Sequence, residues 1–185
     1  GLLADHARVL SGLTAAAQVT GPDGWLAPAR TVADDAIDRL VDDEGTFLDG
    51  EPAGAGLLDR PLRPLETNAE MADALLDLWA LTDDDRYRTA ATEALASFAG
   101  AYERMGVEVA GYAGACARAH YDPLVVRTPA AGTDLHRAAL RIADHEKVVV
   151  PEDRENAVVV RSGAETIPAE TPDELLERAS EGPSP

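Results

Sequence analysis

Cysteine, lysine and aromatic residues are scarce in this chain, and each scarcity removes a class of explanation. Cys116 is the sole cysteine, so an intrachain disulfide, a cysteine-pair metal site and Cys-x-x-Cys redox chemistry are all excluded. It stands between Ala115 and Ala117, the setting of a small buried hydrophobe rather than of an activated thiol. Lys147 is the sole lysine among 16 basic residues, which face 34 acids for a formal net charge of -18. With so few cations, unaided contact with nucleic acid or an anionic membrane is disfavoured. No run of 18 apolar residues occurs, and no basic leader precedes a cleavage pattern; a soluble, cytoplasmic protein is the expectation.

What remains is acid, alanine and leucine. An acidic, lysine-poor surface suits concentrated salt, where ions screen self-repulsion, so a halophilic habit is expected, with an acidic domain serving a basic partner as the rival reading. At 185 residues and 45% hydrophobic content, the chain can bury one sizeable core, or one core and a small satellite.

The first hundred residues contain an echo at an offset of 62 positions: Leu13/Leu75, Val19/Leu81, Thr20/Thr82, Trp25/Tyr87 and Ala29/Ala91. Each copy reads as a helix, a short polar turn with an aromatic, and a second helix. Such a hairpin must stack on neighbours to bury its apolar face; two similar hairpins in an ordinary bundle are the alternative. The first helix is expected over residues 3–19, with Leu3, Val9, Leu10, Leu13, Ala16 and Ala17 as its apolar stripe, and it stops at Gly21-Pro22-Asp23-Gly24. A second runs from Pro28 to about Val41. The glycine- and proline-rich stretch 50–64 is a long link, free to line a cleft at the open end of a helical array. Thr67 with Glu70 reads as a capping box opening the third helix. Asp83-Asp84-Asp85 ends it and starts a fourth, whose apolar side continues through Phe98, Ala99 and Tyr102. A further helix is expected near residues 109–120.

Past Asp122 the pattern changes to short valine runs, at Leu124 to Val126, Lys147 to Val150 and Ala157 to Val160, with a helical stripe of Leu135, Ala138, Ala139 and Ile142 between the first two. Strand, helix, strand is the unit of a small parallel sheet. Thr171-Pro172 opens a last helix. The expected division is therefore an α-helical region over 1–120 and a small α/β appendage over 121–185.

Asp5-His6-Ala7 with Leu10-Ser11-Gly12-Leu13, the Thr20 to Trp25 turn, Arg60 with Arg63-Pro64-Leu65-Glu66-Thr67-Asn68-Ala69, and Leu81-Thr82 to Tyr87 resemble the C-terminal part of the YyaL family. Leu135 to Leu140, Val148 to Pro151 and Ile167 to Leu175 extend the likeness over nearly the whole chain. That family joins a thioredoxin-like domain to a toroid of six helical hairpins, similar to N-acylglucosamine 2-epimerases and to six-hairpin glycosidases. The resemblance implies a mainly α protein, a partial (α/α) toroid followed by the α/β appendage. The thioredoxin-like domain and the first hairpins have no counterpart here, and Val160, Glu165 and Pro168 stand where the family's tail often has cysteines. Incomplete hairpins imply self-association, or a partner that supplies the missing ones, through surfaces including Leu2, Leu3, Trp79 or Phe98.

One constellation is worth testing for chemistry. His6 and Glu66 are the candidate catalytic groups, with His6 as the base that moves a proton to and from carbon, and Arg60 and Asn68 are the candidates for reading sugar hydroxyls. The competing reading makes Arg60 and Glu66 a loop-fixing ion pair, Asn68 and Glu70 caps, and His6 an ordinary helix-end histidine. Asp42, Asp43 and Glu44 read as a solvated turn rather than as the carboxylate pair of a glycosidase. His120, Asp122, His136, Asp144, His145 and Glu146 follow no metal-ligand spacing, and neither a GxGxxG nor a P-loop is present, so no metal or cofactor is expected. The preferred reading is a noncatalytic structural or interaction domain with a carbohydrate as its possible ligand; the alternative is a sugar epimerase or isomerase, and whether the chain is an enzyme is left open.

Overall fold

The computed structural model describes residues 2–52, 54, 56, 60–100, 103, 109–121, 123–144, 146–161, 164, 165 and 167–180. The protein is mainly helical, with a small four-stranded sheet. It divides into two compact units, one of Gly1–Thr14 with Leu26–His120 and one of Ala15–Trp25 with Tyr121–Pro185. Among the described residues, no helix is long and apolar enough to cross a membrane.

The first unit contains α1 (Leu3–Thr20, whose last turns belong to the second unit), α2 (Leu26–Leu40), α3 (Leu65–Thr82), α4 (Asp85–Ala96) and α5 (Ala110–Tyr121). Along α1 the buried side chains are Leu3, Ala7, Leu10, Thr14 and Ala17, alternating steps of four and three that keep one face inward. The expected stripe through Val9 is thus displaced: Val9 is exposed, and Thr14 takes a buried place because its hydroxyl donates to the Ser11 carbonyl at 3.0 Å. Ala29, Ala33, Ala36 and Leu40 form the matching face of α2. Helix α3 is buried around most of its girth, from Asn68 to Leu81, which makes it the centre of this core.

The ends of α1 and α3 share one local contact. Thr20 Oγ1 donates to the Ala16 carbonyl at 2.8 Å and Thr82 Oγ1 to the Leu78 carbonyl at 2.7 Å, contacts related by the same 62-residue offset. Trp25 immediately precedes α2 and Tyr87 lies in the first turn of α4, but Trp25 is exposed where Tyr87 is buried. Tyr87 is fixed by its hydroxyl at 3.0 Å from Asp34 Oδ1 and by the guanidinium of Arg86 5.0 Å from its ring centroid. Burial pushes the Tyr87 phenol up, and the Asp34 carboxylate beside it pushes the same way.

Two helix boundaries differ from expectation. Helix α3 begins at Leu65 rather than Thr67, with Pro64 as N-cap at φ -74° and no capping side chain, because proline's fixed φ already directs the chain into the first turn. Helix α4 ends at Ala96, so Phe98 and Ala99 lie in a turn; Tyr102 lies outside the described residues. The aspartate run behaves as expected. Asp83 closes α3 at φ 52°, and Asp84 caps α4 by accepting from the Arg86 amide at 3.2 Å.

In the second unit, β1 (Val125–Thr128) leads through α6 (Asp134–Leu140) into β2 (Val148–Pro151), parallel to β1 with Val126 opposite Val149. The chain then returns as β3 (Val158–Arg161), antiparallel on the other side of β1, and β4 (Ala164–Glu165) follows, giving the order β2-β1-β3-β4. All three valine runs are strands, but the sheet is mixed rather than parallel. Residues 152–157 are too few for a second parallel crossover. Val126, Val149 and Val159 form one row across the sheet and share a core with Leu135, Ala138 and Ala139 of α6 and Leu175 of α7 (Pro172–Ser180). Val148, Val150 and Val158 on the opposite row are buried too, which is why these strands read as continuous valine and not as alternation.

Candidate functional site

The link between α2 and α3 sets the environment of the candidate residues. Its described residues pair backbone to backbone only in part, through the Val41–Phe47 bridge and the Asp49 amide on the Leu62 carbonyl, so other backbone groups find side-chain partners. Asn68 supplies the central one. Its side chain is buried; Oδ1 accepts from the Phe47 amide at 2.9 Å, and Nδ2 donates to the carbonyls of Phe47 and Pro64, each at 2.9 Å. Three protein contacts leave this amide no face for a sugar hydroxyl. Asp42 fixes the neighbouring turn, accepting from the amides of Glu44 at 2.9 Å and Thr46 at 3.0 Å while pairing with Arg63 at 2.6 Å. Burial pushes the Asp42 carboxyl up, but those amides and the Arg63 guanidinium outweigh it and hold it below its ordinary value. Arg63 also reaches Glu44 at 3.3 Å, so the acidic triplet 42–44 is a braced turn.

His6, in the first turns of α1, is held at both ring nitrogens by oxygen atoms of the protein: Nδ1 lies 2.9 Å from the Leu2 carbonyl and Nε2 2.9 Å from Asp35 Oδ2. Asp35 in turn meets Arg39 at 3.1 Å, and Arg39 pairs with Glu51. The His6 hydrogen bond, followed by that of Arg39, holds the Asp35 carboxyl below its usual range. Neither imidazole nitrogen is directed at open space, as a base acting on a bound substrate must be. Arg60 is exposed in the link, and among the described residues no ion pair joins it to Glu66.

Glu66 belongs to a different feature, a cleft of about 750 Å³ lined by Pro64, Leu65, Glu66, Ala69, Glu70, Asp73, Gly111 and Tyr112. His6, Arg60 and Asn68 are not among its lining residues. Its wall on α5 is Tyr112, whose hydroxyl donates to the Leu95 carbonyl at 2.9 Å and whose ring meets Phe98 edge-on at 6.4 Å. Burial, followed by the thiol of Cys116, pushes the Tyr112 phenol up to about 12. Glu70, expected as half of a capping box, lies 3.6 Å from Arg8 instead, because the helix start two residues earlier leaves no free Thr67 cap to answer.

The expected polar cluster of the C-terminal region also resolves into structure. His136 is buried; its Nδ1 accepts from the Gly132 amide at 3.1 Å and its Nε2 faces the Gln18 carbonyl at 2.8 Å. Gln18 Oε1 accepts in addition from the Val149 amide at 3.0 Å, covering the outer edge of β2. Asp122 and His145 lie outside the described residues, and among the described ones no group of three or more His, Cys, Asp or Glu is arranged to hold a metal ion. Gln18, Asp35, Asp73 and Tyr112 went unnoticed in the sequence as determinants of these sites. Only Gln18 carried a visible signal, as the one amide among the alanines of its helix.

No protein-family model matches the chain, and no curated protein matches it.

Proposed function

We propose that this chain is a noncatalytic structural or interaction domain, and that its helical hairpins are part of a toroid of the YyaL type. The observation that carries the reading is the engagement of Asn68 and His6: each donates or accepts through every polar atom of its side chain to the protein itself. The 62-residue offset between Thr20 and Thr82, repeated in their hydrogen bonds, supports stacked hairpins of one kind. In this reading the acidic surface serves solubility in concentrated salt within a cytoplasm, and a carbohydrate or a second helical chain occupies the open face.

The competing epimerase reading predicts wash-in of solvent deuterium at a substrate carbon. The discriminating experiment incubates the protein in concentrated salt with a panel of aldoses and N-acyl sugars in deuterated water, beside His6→Ala and Glu66→Gln. No exchange above the buffer rate is expected for any of the three proteins. Exchange by the wild type that disappears in either variant overturns the noncatalytic reading.

A further inference from the structure

A buried histidine fastens the end of α1 to the sheet of the second unit. His136 is 1% exposed. Its two ring nitrogens meet partners of opposite kind: Nδ1 lies 3.1 Å from the Gly132 amide, which can only donate, and Nε2 lies 2.8 Å from the Gln18 carbonyl, which can only accept. Those partners assign the neutral ring with its proton on Nε2. Gln18 stands in the last turn of α1, where carbonyls run out of helical amides, so the ring supplies a donor that the helix lacks. The Gln18 side chain accepts from the Val149 amide at 3.0 Å, and a Cβ at Gly21 would come within 3.5 Å of the Ala131 side chain. The Val149 contact matters because of what β2 offers on its outer side. The amides of Val148 and Glu152 turn to β1, at the Leu124 and Thr128 carbonyls, so by alternation the outward positions of the strand are Val149 and Pro151. Proline has no N–H, which leaves Val149 as the outward donor of β2, and Gln18 covers it.

We propose that His136 is an acid-released latch: when its ring takes a second proton, the segment Ala15–Trp25 comes off the sheet and the outer edge of β2 is uncovered. A proton on Nδ1 would point at the Gly132 N–H, so the hydrogen bond is lost and two donors face each other. Holding Gly132 and carrying the charge are mutually exclusive, and by linkage a fall in pH favours the released segment. The surroundings offer the charge little. Residues 15–20, 129–133 and 148–151 contain no ionisable side chain. On α6 itself Asp134 pairs with Arg137 at 2.6 Å, Arg127 of β1 pairs with Glu152, and Glu174 of α7 lies 3.8 Å from Arg178. Asp23 of the turn after α1, Arg141 at the end of α6, and Asp173 and Glu177 of α7 are exposed, and Lys147, just before β2, donates to the Asp144 carbonyl. The carbonyl end of α1 favours a cation and the start of α6 opposes one, and neither returns the bond that Nδ1 gives up. Release leaves Val149 with a free donor on an edge of valines, the form of strand edge that accepts another strand.

The test follows the amides of Val149 and Val159 in the isotope-labelled full chain by hydrogen exchange at about pH 7.5 and about pH 5, within the interval in which histidine changes charge. The ratio of their protection factors removes the pH dependence of the exchange chemistry itself. Expected in wild type is a fall of about tenfold or more in the protection of Val149 relative to Val159 on acidification. His6→Gln should show the same fall, since that histidine belongs to the first unit. In His136→Asn the side-chain oxygen can still accept from Gly132 and takes no proton in this range, so the ratio should be equal at the two pH values. In Gln18→Ala, Val149 should exchange fast at both. Ring nitrogen chemical shifts of the wild type test the same assignment without a variant, should His136→Asn fail to fold: at about pH 7.5 the ring should carry its proton on Nε2 alone. A proton on Nδ1 at that pH, an unchanged ratio in wild type, or an acid response in His136→Asn equal to that of wild type would each overturn the latch.

Discussion

Removing the side-chain amide of Asn68 should cost more stability than removing any of the other three candidate residues. Asn68 acts as a neighbouring strand would for Phe47, satisfying both its N–H and its C=O at 2.9 Å, and Phe47 is fully buried. In Asn68→Ala the Pro64 carbonyl keeps a partner, the Asn68 amide at 3.0 Å, but both Phe47 groups are orphaned where water cannot replace the loss. Lost hydrogen bonds at about 1 kcal/mol each, with about 1–3 kcal/mol for the stranded polar groups, give roughly 3–5 kcal/mol, a large part of the about 5–15 kcal/mol that holds a domain together. Urea titration followed by circular dichroism should show the midpoint falling at unchanged slope. Asn68→Asp sharpens the test. Its carboxylate would face the Phe47 and Pro64 carbonyls, so the ionised form is disfavoured in the fold and the acid's folded pKa must lie above its unfolded value of about 3.9. Protonation restores one of the two donors, so stability relative to wild type is highest below that unfolded value and is lost as pH rises through the raised folded one. By contrast, Glu66→Gln and Arg60→Ala should stay within about 0.5 kcal/mol of wild type. A loss under about 1 kcal/mol in Asn68→Ala, or an Asn68→Asp protein as stable as wild type at pH 7, would refute this account of the residue.

Two further outcomes follow from the remaining contacts. The Asp35 carboxyl is depressed below its ordinary 3.8 by His6 and then Arg39, so its contribution is present above that value and lost as pH falls through the depressed one; the urea midpoint of wild type should therefore fall more steeply than that of Asp35→Asn as pH is lowered below about 4, and parallel curves would count against the pair. Gln18→Ala removes the acceptor of the Val149 amide, so hydrogen exchange at Val149 should accelerate by about tenfold or more while Val159, whose strand does not contact Gln18, is unchanged; a protected Val149 in the variant would show that the edge of β2 is covered by something else.

Much of the scaffold could be read from the sequence because it depends on local rules. The helix ends announced themselves through Gly21-Pro22-Asp23-Gly24 and Asp83-Asp84-Asp85, and the strands through valine runs too short for helices. The valine runs read as a parallel sheet, whereas the sheet is mixed; the spacing argues for that outcome, since a parallel return after β2 needs more than residues 152–157 allow. Other features are decided by tertiary neighbours. Val9 has the hydrophobicity for the core and is exposed, while Thr14 is buried, because Leu3, Ala7, Leu10, Thr14 and Ala17 share one face and Val9, one residue before Leu10, points about 100° away from it. The role of Gln18 depends on a strand edge 131 residues away, and no local pattern encodes that meeting.

Polar residues near the link could be recognised as important without revealing what they are important for. A histidine, a glutamate, an arginine and an asparagine beside a glycine- and proline-rich stretch suit a sugar site, but such a stretch also creates a demand of its own. Its backbone pairing is partial, so the amides and carbonyls left over need side-chain oxygen and nitrogen nearby. Asp42 serves the amides of Glu44 and Thr46, Asp49 that of Leu62, and Asn68 the amide and carbonyl of Phe47 and the carbonyl of Pro64. The demand is met by the residue types that chemistry would also choose. What separates the two uses is the number of polar atoms left over once the backbone is satisfied. Asn68 and Asp42 have spent theirs, and Glu70 is paired with Arg8 at 3.6 Å, whereas Glu66 is exposed at the edge of the cleft. A functional surface in this unit is accordingly to be sought at side chains that the fold does not consume, and not at the histidine and asparagine that first drew attention, nor at Glu70, Asp73 and Asp77, which Arg8 and Arg118 already hold.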